Sequence, residues 1–252
     1  MPAMDYSKIA NFYDLYVQTE VDVPFFLQES RGCRSVLELT SGTGRLSLPL
    51  LQAHVPLACL DNSPEMLAIL REKLIEQGFC APVYQMDASD FSLHQKFDLI
   101  IIPFNAFSEF TDPAMQQKTL AAIHNHLADE GRFICTLHNP EIRLKSIDEQ
   151  VHLRGKFALP DDQGMLYLSS WEKYDAATHL ASGMQLYEMF DHNGSVQSKH
   201  YLKIMFYLHS RESFETLAKS QGYRVLALYG DYERAAFQPQ TSPFMIWILS
   251  RQ

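Results

Sequence analysis

No apolar run in this 252-residue chain approaches the ~20 residues that a membrane-spanning helix needs. The longest, Leu99 to Pro103, suits a buried strand. Cysteine is scarce: Cys33, Cys59, Cys80 and Cys135 are scattered, with no CxxC pair and no histidine at metal-ligand spacing. That excludes a disulfide framework, and no metal site is expected. Cys59 and Cys135 sit inside apolar runs, so the thiols are expected to be free and buried in a reducing cytoplasm. Basic residues are outnumbered, 21 Lys plus Arg against 30 Asp plus Glu, a formal charge of −9. Such a balance argues against a protein that grips phosphate backbones. The N-terminus, MPAMDYSKIANFYDLY, has acids and tyrosines where a signal peptide needs a basic end and a continuous apolar stretch. The expected location is therefore the cytoplasm, with no membrane and no nucleic-acid partner. What is present is 46% hydrophobic and 12% aromatic residues, enough to bury a sizeable core. The length suits one large domain or one domain with an elaboration.

From residue 34 to about 139 short apolar segments alternate with helical ones. SVLEL (35–39), PLACLD (56–61), PVYQMD (82–87), FDLIIIP (97–103) and GRFICTL (131–137) have strand character. Helices are expected from Arg45 to Ala53, Pro64 to Gln77 and Pro113 to Leu127. Strand alternating with helix predicts βαβ units and a parallel sheet covered on both faces. Asn62-Ser63-Pro64 and Asp112-Pro113 each supply a cap with proline at the first helical position, and Gly78 and Gly131 stand where helices should stop. Residues 140–209 change character. Partly alternating aromatic and aliphatic runs, separated by Asp161-Asp162-Gln163-Gly164 and His192-Asn193-Gly194, predict three or four antiparallel strands. SRESFETLAKSQGY then suits a helix with a capping box, and YRVLALYG and SPFMIWILS suit two closing strands. In the first 30 residues Ile9, Phe12, Tyr13 and Tyr16 share a helical face.

The strongest chemical signal is VLELTSGTGRLSLPL (36–50), a strand ending in an acid, then small residues, then Gly-x-Gly opening a helix. A helix N-terminus offers free N–H groups, and glycines let a ligand approach that backbone. Asp61 ends the second strand, 17 residues after Gly44, near the spacing of a carboxylate that accepts ribose hydroxyls. Asp87 ends the third strand. All three acids fall on the carboxyl edge of the sheet, where open α/β folds bind ligands. A dinucleotide needs a third glycine, and Arg45-Leu46-Ser47 stands there instead. Glu38 ahead of the loop would repel a pyrophosphate but suits a ligand carrying an ammonium or sulfonium.

These residues resemble motif I of the class I S-adenosylmethionine-dependent methyltransferases, here Glu38-Leu39-Thr40-Ser41-Gly42-Thr43-Gly44. LDNSPEML (60–67), YQMDASDF (84–91), FDLIIIPFNAFSEF (97–110) and GRFICTLHNP (131–140) are similar to the family's following strands. Within the family, WEKYDAATHLASGMQLYEMFDHNGSV resembles the insertion of small-molecule enzymes such as amino-sugar N-methyltransferases. The resemblance implies a Rossmann-like, doubly wound α/β fold: a seven-stranded, mostly parallel sheet with an antiparallel β insertion and an N-terminal helical lid. The implied division is a lid at 1–30, a cofactor-binding core at 31–139 and 210–252, and the insertion at 140–209. The cofactor is S-adenosyl-L-methionine, with S-adenosyl-L-homocysteine as product. Glu38 would hold its amino end and the backbone of Thr40, Gly42 and Gly44 would pass along the methionine part. Asp61 would accept the ribose hydroxyls, with Asn62 and Met66 near the adenine face. Asp87 would accept from the adenine amine, and the Ala88 N–H would donate to the ring. Phe104 would line the reactive pocket. One departure stands out: Thr40 replaces the first glycine, so either the loop is displaced or Thr40 keeps ordinary φ/ψ.

The expected reaction moves a methyl group by in-line displacement to an N or O atom of a small molecule, with alignment as the protein's main contribution. His138, just past the fifth strand, is the candidate general base; a polar loop histidine is the plainer alternative. Asn105 and Tyr16 are candidate acceptor contacts, as are Trp171 and Tyr174 in the insertion, where Tyr187 and Glu188 also fall; sheet packing is the competing explanation there. Tyr6, Tyr13 and Tyr16 suit either a lid over a cation, with Tyr13 beside the cofactor, or simple packing. His124 and His126 are expected to face outward or to cap their helix. The insertion offers a homodimer surface as readily as a roof. A non-catalytic cofactor-binding protein and a nucleotide-dependent oxidoreductase are the rival functions.

Overall fold

The computed structural model describes residues 4–252, without the Asp161 side chain. The first three residues of the expected lid lie outside the described residues. A 3-10 turn at Tyr6–Lys8 leads into α1 (Ala10–Tyr16) and α2 (Val23–Glu29). Then come β1 (Val36–Leu39), α3 (Ser47–Gln52), β2 (Leu57–Asp61), α4 (Pro64–Glu76), β3 (Val83–Gln85), β4 (Phe97–Ile102), α5 (Pro113–His126) and β5 (Leu127–His138). A short α6 (Pro140–Arg143) precedes β6 (His152–Ala158), β7 (Met165–Asp175), β8 (Leu180–Phe190) and β9 (Val196–Tyr207). The chain closes with α7 (Arg211–Ser220), β10 (Tyr223–Tyr229) and β11 (Phe244–Arg251).

The main sheet has seven strands in the order β10-β11-β5-β4-β1-β2-β3, and β11 alone runs against its neighbours. The strand order reverses at β1, which pairs in parallel with β2 on one side and β4 on the other. Alternate residues of each inner strand feed opposite cores: Leu37, Ile100 and Ile102 pack on one face, Val36, Leu99 and Ile101 on the other. That is why these strands are continuously apolar rather than alternating. Caps fix where the helices start. Ser63 accepts the Met66 N–H at 3.3 Å ahead of Pro64, and Asp112 accepts the Ala114 N–H at 3.0 Å ahead of Pro113. The second sheet, β6-β7-β8-β9, is wholly antiparallel. Its buried face, with Leu166, Leu168, Tyr187, Leu202 and Ile204, packs against Ile9, Phe12, Tyr13 and Tyr16 of the N-terminal segment.

Several local expectations are corrected. Gly131 stops no helix: α5 ends at His126 and passes directly into β5 at Leu127. Gly131 is instead needed for close approach, since a Cβ there would meet the Phe97 carbonyl oxygen at 2.8 Å. α3 begins at Ser47, not Arg45, because Arg45 lies in the turn before it and is drawn to Asp22. His126 is buried rather than outward: its Nε2 accepts the Leu93 N–H at 2.9 Å and its ring stacks on Phe91. At α7 the cap is Ser210 accepting the Ser213 N–H at 3.1 Å, with no glutamate closing a box. Cys59 and Cys135 are buried free thiols, whereas Cys33 is half-buried and Cys80 exposed.

Candidate functional site

The carboxyl ends of β1, β2 and β4 open on one cavity, about 1020 Å³ including its mouth. Glu38, Thr40, Gly42, Asp61, Asn62, Met66, Asp87, Ala88 and Phe104 line it together. Met4, Tyr6 and Tyr13 reach it from the N-terminal segment. Residues 100 positions apart in sequence, Met4 and Phe104, thus meet at the point where strand order reverses.

The loop after β1 is held from several sides. The Gly42 N–H donates to Asp61 Oδ2 at 2.8 Å, and Asp61 Oδ1 accepts the Ser63 N–H at 2.9 Å. The carboxylate is therefore fixed in orientation, with lone pairs left for a ligand. Burial raises its pKa, opposed by the N–H groups of Ser63, Gly42 and Asn62. Gly42 has φ +54° and open space where a side chain would sit, leaving a cradle on the cavity wall. Gly44 differs: it has φ +87°, and a Cβ would meet Leu70 Cδ1 at 2.4 Å. Its role is to let the loop pack on α4, and it does not line the cavity. Thr40 adopts φ +59°. Thr40 is thus not in an ordinary region; it keeps the left-handed backbone a glycine would supply, at a cost of ~1–3 kcal/mol. Asp14 of α1 accepts from the Thr43 hydroxyl at 2.7 Å and pairs with Lys73 at 2.6 Å, clamping the N-terminal segment onto this loop.

Glu38 is 1% exposed and its Oε2 accepts the Ser47 hydroxyl at 2.6 Å. Burial pushes its carboxyl up to about 8, against the pull of that hydroxyl and of Arg45. Arg45 itself makes a bidentate pair with Asp22, both contacts 2.6 Å, donates to the Thr19 carbonyl at 2.9 Å and lies 4.6 Å over the Phe104 ring. Its charge is already matched.

Residues that the sequence motifs leave unassigned also line this cavity, chiefly Glu109, with Met86, Phe110 and Met115, and Tyr6 of the N-terminal segment joins them. Glu109 follows β4 on a 3-10 turn, Ala106–Glu109, and its Oε1 accepts the Tyr6 hydroxyl at 3.1 Å. Burial raises the Glu109 carboxyl to about 8, the Tyr6 bond opposing. The same burial raises the Tyr6 and Tyr13 hydroxyls, so both stay neutral donors. An acid flanked by Phe107 and Phe110 was the available sequence signal.

Other candidates lie apart. His138 is not on the cavity wall; its ring packs edge-on against Phe206, 5.5 Å between centroids. Burial, with the Arg143 charge second, pushes its pKa down to about 3, which makes it a feeble base. Asn105, φ +62°, is buried between two lining residues; its N–H donates to Thr136 Oγ1 at 2.9 Å and its Oδ1 has no donor. The Tyr16 hydroxyl is 3.0 Å from that of Tyr187, inside the contact between α1 and the second sheet. Trp171 pairs with Met184 and projects from the face of β7 opposite Leu168 and Ser170, away from this contact. Tyr174 is next to last in β7, its hydroxyl 3.3 Å from His179 Nδ1 in an exposed contact.

Residues 36–131 match the family model described as a methyltransferase domain. A glycine/sarcosine N-methyltransferase of Halorhodospira halochloris is 32% identical over 131 residues, 50% of this chain and 48% of the relative. The chain thus spans about half the length of that curated relative. An S-adenosylmethionine-dependent methyltransferase from Clostridium acetobutylicum superposes with a TM-score of 0.78 at 20% identity, covering 98% of each chain. The sugar N-methyltransferase KedS8 from Streptoalloteichus gives 0.73 at 20% identity, covering 96% of this chain and 92% of its own. The reversed strand order, the strand-tip acids and the domain match agree: residues 36–131 are similar to a methyltransferase domain, within a Rossmann-like fold that the chain shares with S-adenosylmethionine-dependent methyltransferases of known structure.

Proposed function

We propose that the protein transfers a methyl group from S-adenosylmethionine to an amine nitrogen of a small molecule. The observation that carries this is the single cavity in which Glu38, Asp61 and Asp87 stand at three successive strand ends around the Gly42 cradle. Bound there, the cofactor supplies a methyl group on a positively charged sulfur. Glu38, buried with one hydroxyl partner, would hold the ammonium of its amino end. Asp61, fixed by two backbone N–H groups, would accept the ribose hydroxyls. Asp87 takes both contacts from Ser89 on Oδ1, and its other oxygen would accept from the adenine amine. Thr40 keeps the loop in its glycine-like shape, which removes the support for a non-catalytic reading. A neutral amine carries its own lone pair, whereas a hydroxyl must first lose a proton. Among the described lining residues no histidine or lysine is placed to take one, which leaves only carboxyls, weak bases toward a hydroxyl, and favours nitrogen over oxygen as acceptor.

The division into a lid at 1–30, a core at 31–139 and 210–252 and an insertion at 140–209 is part of this proposal, as is the cytoplasm; among the described residues no helix is long and apolar enough to cross a membrane. A homodimer would form on the outer face of the second sheet, around Trp171, Met184 and Leu186. Calorimetry tests the central claim. Both S-adenosylmethionine and its demethylated product should bind, and Asp61→Ala should weaken both at least tenfold. Absence of binding to the unmodified protein defeats it.

A further inference from the structure

We propose that Glu109 receives the acceptor nitrogen and that the site selects amines with no carboxylate beside that nitrogen; this rests on the methyltransferase reading above. The argument is a charge inventory. Glu38, Asp61, Asp87 and Glu109 all line the cavity, against Arg45 as the one basic lining residue among those described. Arg45 is bound bidentately by Asp22 and covered by Phe104, so it has no charge to offer a ligand. Arg143, whose charge reaches His138, is likewise paired with Glu172 and donates to Ser146. The bound cofactor brings a sulfonium, an ammonium and a carboxylate, a net single positive charge. Four acids thus face one net positive charge, and the lining is negative once Glu38 and Glu109 ionise above pH 8.

Glu38, Asp61 and Asp87 have assigned partners on the cofactor. Glu109 does not. Tyr6 occupies one of its oxygens, and the residue keeps part of its surface open to the cavity. A carboxylate in that position accepts an N–H from an amine and takes up the proton a methylated nitrogen releases. The balance closes: the nitrogen lone pair forms the N–C bond, the C–S bond breaks with its pair going to sulfur, and one N–H proton leaves for Glu109 and then solvent. Asn105 supports the same end of the cavity. Its buried Oδ1 lacks a donor, and its neighbours Phe104 and Ala106 are on the wall. Glycine or sarcosine, the acceptors in the relative's name, would bring a second carboxylate toward Glu109. Above pH 8, where Glu109 is ionised, at an effective dielectric constant of about 20 and a separation of ~5 Å, that repulsion amounts to roughly a hundredfold or more in affinity.

Matched acceptors isolate this effect. Glycine against glycinamide, and sarcosine against sarcosinamide, replace the carboxylate by a neutral amide, and counting only the unprotonated amine corrects for the lower basicity of the amides; ethanolamine is a third acceptor without a carboxylate. At pH 9, where Glu109 is ionised, the complete protein with S-adenosylmethionine should show kcat/KM, expressed per concentration of unprotonated amine, at least a hundredfold higher for each amide than for its acid. Glu109→Gln should raise KM for the neutral amines at least tenfold and shrink the amide preference below tenfold. Calorimetric titration of ethanolamine into the protein saturated with S-adenosylhomocysteine should give binding that Glu109→Gln abolishes. Equal or inverted preference overturns the proposal, as does an unchanged Glu109→Gln profile. So does failure of every amine to bind or react while S-adenosylhomocysteine binds normally. Failure of S-adenosylhomocysteine itself to bind refutes the underlying reading instead, and the two results are separately visible.

Discussion

Lowering the pH from 8 to 6 should weaken S-adenosylhomocysteine binding by one to two orders of magnitude, through Glu38. Burial holds that carboxyl at about 8, so it is half-ionised at pH 8 and about 1% ionised at pH 6. An ammonium ligand needs the ionised form. Each pH unit below 8 therefore adds about 1.4 kcal/mol to the cost of ionising Glu38, or tenfold in affinity. Binding should also release a proton, approaching one per ligand near pH 6.5 and vanishing well above pH 8. Calorimetry in two buffers of different ionisation enthalpy counts that proton directly. The product is the right probe because its sulfur is neutral, which leaves Glu109 outside the measurement; the sulfonium of S-adenosylmethionine should add a second, smaller release. Glu38→Gln should flatten the dependence and bind more weakly at pH 8. Affinity independent of pH between 6 and 8, or a proton released just as fully by Glu38→Gln, would refute the reasoning.

Further consequences follow from the same site. Glu38 and Glu109 both have folded-state carboxyls at about 8 against an ordinary value of 4.5. The folded chain thus holds protons that the unfolded chain gives up, so ligand-free stability should be full below about pH 4.5 and decline as pH rises toward 8. This trend would appear as a falling contribution to Tm, and Glu38→Gln should make it shallower. Thr40→Gly removes a β-branched residue from φ +59° and should stabilise by up to ~1 kcal/mol in urea unfolding after the added freedom of the unfolded chain is subtracted. Gly44→Ala should destabilise by roughly 2–4 kcal/mol through its clash with Leu70 and its positive φ. Gly42→Ala, facing open space, should cost less stability and more cofactor affinity. Light scattering of Trp171→Lys checks the proposed homodimer, which should fall to monomer without losing cofactor binding.

The alternating core was legible because two independent signals coincided at each element. Pro64 and Pro113 sit at helix starts behind Ser63 and Asp112, and the apolar runs between them match buried parallel strands. Where one residue type serves two purposes, the sequence was ambiguous. Gly131 looked like a helix stop, but the direct passage from α5 to β5 needs none, and the glycine answers to the Phe97 carbonyl instead. His126 looked solvated because helix-end histidines often are; here a backbone N–H 33 residues away satisfies it inside the core. The Asp–Arg pair that shortens α3 joins residues 23 apart, beyond any local pattern.

The same division explains the site. Glu38, Asp61 and Asp87 announce themselves because a charged residue at the end of a short apolar strand has one place to go, the sheet edge. Glu109 lies past the strand, after two consecutive residues with positive φ, Phe104 at 57° and Asn105 at 62°. That turn folds the chain back over the cavity and reverses where the next side chains fall. Without it, an acid between Phe107 and Phe110 would be taken for a solvated loop residue. With it, the carboxyl is buried against a tyrosine from the other end of the chain. Trp171 shows the converse error. Aromatic content in the insertion suggested a substrate wall, but strand alternation gives β7 two faces, and the packing of Leu168 and Ser170 places Trp171 on the outer one. Composition identified the right segment; only register decided which residues within it face the chemistry.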